Sequence, residues 1–191
     1  MFRLRKHTFA AIISIFALGG TGALAQTPEQ SPLADGELSK QELAAIITLA
    51  EQQLTQLADA ATKEYLPVIQ RDQAKMPQAW MLMEDGETVK RINLDDQTDG
   101  APPAVRIVMY RAALKSLARR GLINAGAILY AGPVSEDNNA DALVIEHEHR
   151  LGVSANKVVG YRLEEDKVVW GKPVTDTKPF EWFYDAKKDP S

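Results

Sequence analysis

ADALVIEHEHR, residues 140–150, is the longest run of alternating apolar and polar residues in the chain. Successive side chains of a strand point to opposite faces. Extended, this run places Leu143, Ile145, His147 and His149 on one face and Ala142, Val144, Glu146, Glu148 and Arg150 on the other. The apolar first half predicts core. The charged second half predicts a strand end that runs out, partly exposed, to an edge or a ligand.

Sheet partners for this strand are written on both sides of it. Downstream, residues 157–163 and 168–171 flank the polar turn Glu164-Glu165-Asp166-Lys167 and read as a hairpin. Upstream, residues 122–131 read as a strand that Gly132-Pro133 ends. Earlier still, residues 79–83 and 88–94 flank Glu84-Asp85-Gly86-Glu87, and an Asp-Gly in a short polar link signals a hairpin.

Two helices complete the pattern. Ser39-Lys40-Gln41-Glu42 has the form of a capping box. Leu43, Ile47, Ala50, Leu54, Leu57 and Ala61 then recur at helical spacing until Pro67, which predicts an end at Leu66. Such a helix is about 40 Å long. It either lies across a whole sheet or lets its first turns protrude towards a partner. Residues 104–120 form the second helix, with Ile107, Tyr110, Leu114 and Leu117 on one face and Gly121 as its stop. Arg111, Lys115 and Arg119 make a basic stripe on it, four residues apart.

The expected fold is therefore α+β, with order α-β-β-α-β-β-β-β: a mostly antiparallel sheet of about six strands with both helices on one side. The aromatic segment Phe180, Trp182, Phe183 and Tyr184 is expected to seal one end of the sheet or to dock against the long helix. The order of elements resembles the start of the roadblock and profilin-like sensor folds. They too begin helix, strand pair, helix and continue with antiparallel strands. That resemblance is one of topology and implies no function.

The N-terminus reads as an export signal. Arg3, Arg5, Lys6 and His7 precede an apolar run over residues 8–22, and Ala23-Leu24-Ala25 supplies an A-x-A processing site. Residues 1–25 are thus a cleaved signal, 26–38 a flexible Pro-, Gly- and Gln-containing linker and 39–191 a single domain. The apolar run is short for a membrane span, so no stable insertion is expected after cleavage. The destination is the periplasm or the outside of the cell. Cysteine is absent, so the domain is held without disulfides. The net charge of -4 becomes -7 once Arg3, Arg5 and Lys6 are removed, which argues against nucleic acid as a partner.

Chemistry is only sketched. His147 and His149 have the i, i+2 spacing by which one strand offers two imidazoles to zinc, but a third ligand is not evident and H-E-x-x-H is missing. Glu146 and Glu148 lie about 7 Å apart on the opposite face, the kind of pair an acid–base hydrolase uses when a cleft separates them. Neither fragment gathers the matched roles of a catalytic site. The reading favours an exported, non-catalytic binding or accessory protein that needs no cofactor. It meets a protein partner, or weakly a second copy, through its sheet or long helix. Leu43, Ile47, Arg111, Lys115 and Arg119 are the contact candidates, and His147, His149, Glu146 and Glu148 the candidate polar site. A small periplasmic hydrolase, metal-dependent through His147 and His149 or carboxylate-dependent, is the alternative. Export has a direct check: N-terminal sequencing of protein from its native cell is expected to begin at Gln26, and an intact Met1 in a cytoplasmic fraction would refute it.

Overall fold

A computed structural model of the chain describes residues 38–71, 75–94, 100–135, 138–165 and 167–185. The expected signal, residues 1–25, and all of the expected linker except Leu38 lie outside the described residues. The elements follow the anticipated order: α1 (Lys40–Gln70), β1 (Gln78–Met83), β2 (Val89–Ile92), α2 (Pro103–Arg119), β3 (Ile123–Ser135), β4 (Asn138–His149), β5 (Val153–Glu164) and β6 (Lys167–Thr177). The strands form one antiparallel six-stranded sheet in the order β2-β1-β3-β4-β5-β6.

Local signals place most element ends. The Glu42 amide donates to Ser39 Oγ at 3.2 Å and the Ser39 amide to Glu42 Oε2 at 2.9 Å, closing the capping box of α1. Gly121, at φ +72°, terminates α2 while its amide donates to Ala118 O and that of Leu122 to Leu117 O. Prolines are the exceptions. α1 continues through Pro67 to Gln70 rather than stopping at Leu66. Pro67 and Lys63 are both exposed, so the carbonyl left without a helical donor can meet water, and continuation buries Ile69 completely. Likewise β3 runs past Gly132 and Pro133 to Ser135. β1 begins at Gln78, opposite Leu129, so past that point one side of β3 is an edge, where a residue without an N–H costs no ladder bond.

The two helices do not share a side of the sheet. Trp80 and Leu82 of β1 pack with Leu54, Leu57, Ala61, Tyr65 and Ile69 of α1. Their neighbours Ala79 and Met81 pack with Tyr110 and Leu114 of α2. Alternation in the central strands supplies two apolar faces, and each needs its own cover. β4 is consequently internal, paired with β3 and β5 along its length and covered on both faces. The expected wet strand end is absent: Glu146, Glu148 and His149 are 1%, 0% and 0% exposed.

The aromatic segment completes the α2 face rather than meeting α1. Trp182 is buried in the α2 cluster, and Arg119 Nε donates to its carbonyl at 3.1 Å. Close approach is possible there because residue 126 is glycine. A Cβ on it would fall 2.6 Å from Leu114 Cδ2 and 3.3 Å from the Trp182 ring. Gly126→Val is expected to destabilise the domain by about 1–3 kcal/mol through overpacking, read from urea midpoints.

Candidate functional site

β4 was expected to carry the polar site, and it gathers one, though for a different purpose. On the α2 face, Glu148 accepts from Lys178 Nζ at 2.6 Å and from the backbone amides of Glu181, Trp182 and Phe183 at 2.8, 2.9 and 3.3 Å. Glu146 accepts a forked contact from Arg111, Nε to Oε1 at 3.1 Å and Nη2 to Oε2 at 2.8 Å, and has Lys178 Nζ 3.5 Å away. Lys178 also lies 4.9 Å above the Trp182 ring. The two carboxylates do not flank an open cleft, as a glycosidase pair must. They hold the aromatic segment onto the sheet.

The basic stripe on α2 joins the same arrangement. Besides the Arg111–Glu146 fork, Arg119 Nη2 reaches Asp185 Oδ1 at 2.7 Å and Lys115 Nζ lies 3.8 Å from it. All three cations therefore face carboxylates of their own chain.

His147 and His149 share the opposite, α1-covered face, as the alternation predicts, but their surroundings differ. The Leu151 amide donates to His149 Nδ1 at 3.0 Å, which puts the ring proton on Nε2, where it is donated to Gln53 Oε1 at 2.8 Å. Both nitrogens are engaged, so this imidazole cannot ligate a metal without giving up at least one of these bonds. Burial, with a smaller contribution from Arg150, pushes its pKa down to about 4. His147 donates from Nδ1 to Ile145 O at 3.2 Å. Its other nitrogen has no hydrogen-bond partner among the described residues, and the ring lines a cleft of about 620 Å³ between α1 and strands β5 and β6. Burial first, then Lys157 and Lys178, lower its pKa. Among the described residues, no group of three His, Cys, Asp or Glu side chains is placed to hold a metal ion.

Leu43 and Ile47 lie at the other candidate surface. The buried stripe of α1 begins at Ala50. The turns before it carry the same stripe outward, with Leu43 46% and Ile47 40% exposed and Leu38 and Leu49 exposed beside them. Of the two arrangements open to a long helix, the first turns take the protruding one. Among the described residues, no helix is long and apolar enough to cross a membrane.

Sequence reasoning did not anticipate Gln53, Lys157, Lys178 or the 181–183 amides as members of these sites. Lys157 alone carried a signal, a lone cation in the alternate row Val153, Ala155, Val159 and Tyr161 of one strand. No protein-family model matches the chain, and neither the curated proteins nor the solved structures supply a match.

The histidines give a pH dependence of defined sign. A folded-state pKa below the unfolded value of about 6.5 means that the unfolded chain binds more protons as pH falls. The contribution of His149 is complete above about pH 6.5 and is lost towards pH 4, and that of His147 falls in the same direction, at no more than about 1.4 kcal/mol per pH unit for each ring. Urea midpoints between pH 7.5 and 4.5 are expected to fall accordingly. His149→Gln, though less stable at neutral pH, is expected to show a shallower slope.

Proposed function

We propose that the chain is an exported, non-catalytic accessory protein that offers the first turns of α1 to an apolar groove on another protein. The observation that carries this reading is the continuous stripe of α1. From Ala50 onward it is core, and before Ala50 the same face, through Leu43 and Ile47, is open. An exposed apolar stripe at i, i+4 spacing is what the helix-in-groove mode of recognition uses. The occupant is a larger partner rather than a second copy. The protruding helical part, residues 40–49, is about 15 Å long, and two such stubs pressed together bury well under the ~1,200 Å² of a stable interface.

The basic stripe adds little to this reading, since Arg111, Lys115 and Arg119 already face Glu146 and Asp185. The hydrolase alternative needs His147 and His149 as ligands, or Glu146 and Glu148 as an acid pair, and three of those four side chains are committed to partners within the fold. Export rests on the basic start, apolar run and A-x-A site of residues 1–25. The resemblance to roadblock and profilin-like folds rests on the element order read from the sequence and lends no function to this reading.

The double variant Leu43→Ser, Ile47→Ser tests the reading. Both positions are exposed, so the urea midpoint is expected to move by no more than about 0.5 kcal/mol. Cross-linking in the native compartment is expected to join the wild type to one dominant partner, with yield at least tenfold lower for the variant. Equal yields would refute the role of the stripe. Wild-type dimers in sedimentation that the variant cannot form would replace the heterologous partner with a second copy.

A further inference from the structure

The cleft beside His147 continues into a second cavity, and the two differ in chemistry. The second, of about 510 Å³, lies between Leu66 of α1 and Leu143, Ile145, Val159, Trp170 and Pro173 of the sheet. The first, of about 620 Å³, carries His147, Thr175 and Thr177. Lys157 and Ala58 line both. Together they form a groove along β5, apolar at one end and polar at the other.

Lys157 marks the junction. In the sheet it is paired with Ile145 of β4 on one side and Thr175 of β6 on the other. Along its own strand, Ala155 and Val159 lie before and after it on the groove floor. It is partly buried. The acids on the groove wall, Glu51 and Asp59, make no ion pair with it, and it has no hydrogen-bonding or ionic partner among the described residues. A cation on an apolar floor without an anion is costly unless water or a ligand answers it. Here one half of the groove offers a channel with an apolar floor that ends at that cation, with exposed Lys63 of α1 as a second cation beside Asp59 and Thr62 in its lining.

We propose that this groove binds a single-chain amphiphile with one anionic head, a long-chain carboxylate. The carboxylate sits on Lys157, and the acyl chain runs along the apolar half between Leu66 and the Trp170–Pro173 edge. Trp170 is anchored there by its ring contact with Tyr161, centroids 5.6 Å apart, and closes the channel on the β6 side. Each cavity by itself lies in the range of small-molecule sites, roughly 300–1,000 Å³, which are mostly apolar with a few polar groups that fix orientation. Charge complementarity selects the anion: an amphiphile of opposite head charge would place a second cation against Lys157.

The probe is dodecanoate, added below its micellar range to protein recovered from the native cell. Binding is followed through the fluorescence of Trp170, with Trp170→Phe showing which part of the signal is local. Saturable binding at one molecule per chain is expected, with at least tenfold weaker binding by Lys157→Met and by dodecyltrimethylammonium to the wild type. Lys157→Met removes no ion pair, so its urea midpoint is expected to match the wild type and to separate lost binding from lost folding. No saturable binding of dodecanoate would overturn the proposal. So would equal binding of the two amphiphiles, or binding indifferent to Lys157→Met, since either means adsorption to apolar surface alone. The Leu43→Ser, Ile47→Ser variant is expected to bind dodecanoate as the wild type does, so failure of the helix-docking reading and failure of this one are distinguishable.

Discussion

The Glu148 carboxylate has no contact with water, and much of the α2 side of the molecule is arranged around that fact. An ionised carboxylate taken out of water costs several kcal/mol unless donors replace the lost hydration. Its donors come from a single short segment: Lys178 and the amides of Glu181, Trp182 and Phe183. Placing β4 in the middle of the sheet and folding the aromatic segment over it are therefore one event. Neither is stable with the other undone. Trp182 gains its seat above Gly126 in the same step, although its Nε1 is left without a partner among the described residues. Packing of a buried indole outweighs one unmade bond there, since a lost bond costs about 1–3 kcal/mol and loss of a buried Trp about 3–5.

The α1 side is governed by a different constraint, the width of a sheet against the width of a helix. Six strands span roughly 24 Å, and one helix covers about 10 Å of that. Hydrogen bonds place α1 over one part of the sheet. Gln53 holds His149, Gln56 Nε2 donates to Glu87 O at 2.7 Å, and Trp80 Nε1 donates to Glu64 Oε2 at 2.9 Å. All three partners lie on β1, β4 or the β1–β2 turn. α1 thus reaches only part of the β5 face, at Tyr161 and Val153, and the groove lies between its flank and the rest of β5 and β6. The open stripe at Leu43 and Ile47 has a separate origin, because α1 begins several turns before it reaches the sheet.

What could be read in the sequence was what depends on neighbours in the chain. The capping box at Ser39 and Glu42, the Asp85-Gly86 turn and the stop at Gly121 each need only a few residues to define them, and each stands where the pattern puts it. The division of β4 into two faces was equally legible, because side-chain alternation is a property of one strand. The meaning of its charged half was not. Glu148 reads as solvated until Lys178 and Trp182, 30 and 34 residues further on, are folded back onto it. The prolines misled for a related reason. Pro67 and Pro133 break only the bond that their missing N–H would make, and whether that bond is wanted depends on water at Lys63 and on where β1 begins.

Two histidines of the same strand face show how far position in a fold can separate identical residues. His149 lies under Gln53, and the Leu151 amide fixes its tautomer, so it acts as a neutral structural link between α1 and the sheet. His147, two residues back, uses one nitrogen on Ile145 O and presents the rest of its ring to the groove. Lys157 and Lys178 add to burial in keeping that ring unprotonated at neutral pH. A neutral imidazole accepts or donates a hydrogen bond but contributes no charge, and Lys178 is already answered by Glu148 and Glu146. On the groove floor the positive charge therefore rests with Lys157 alone. Lys63 of α1 also lines the groove but is exposed, so the half-buried Lys157 is the cation that an anionic group relieves most, and the apolar residues on one side of it specify the direction in which the rest of the ligand lies.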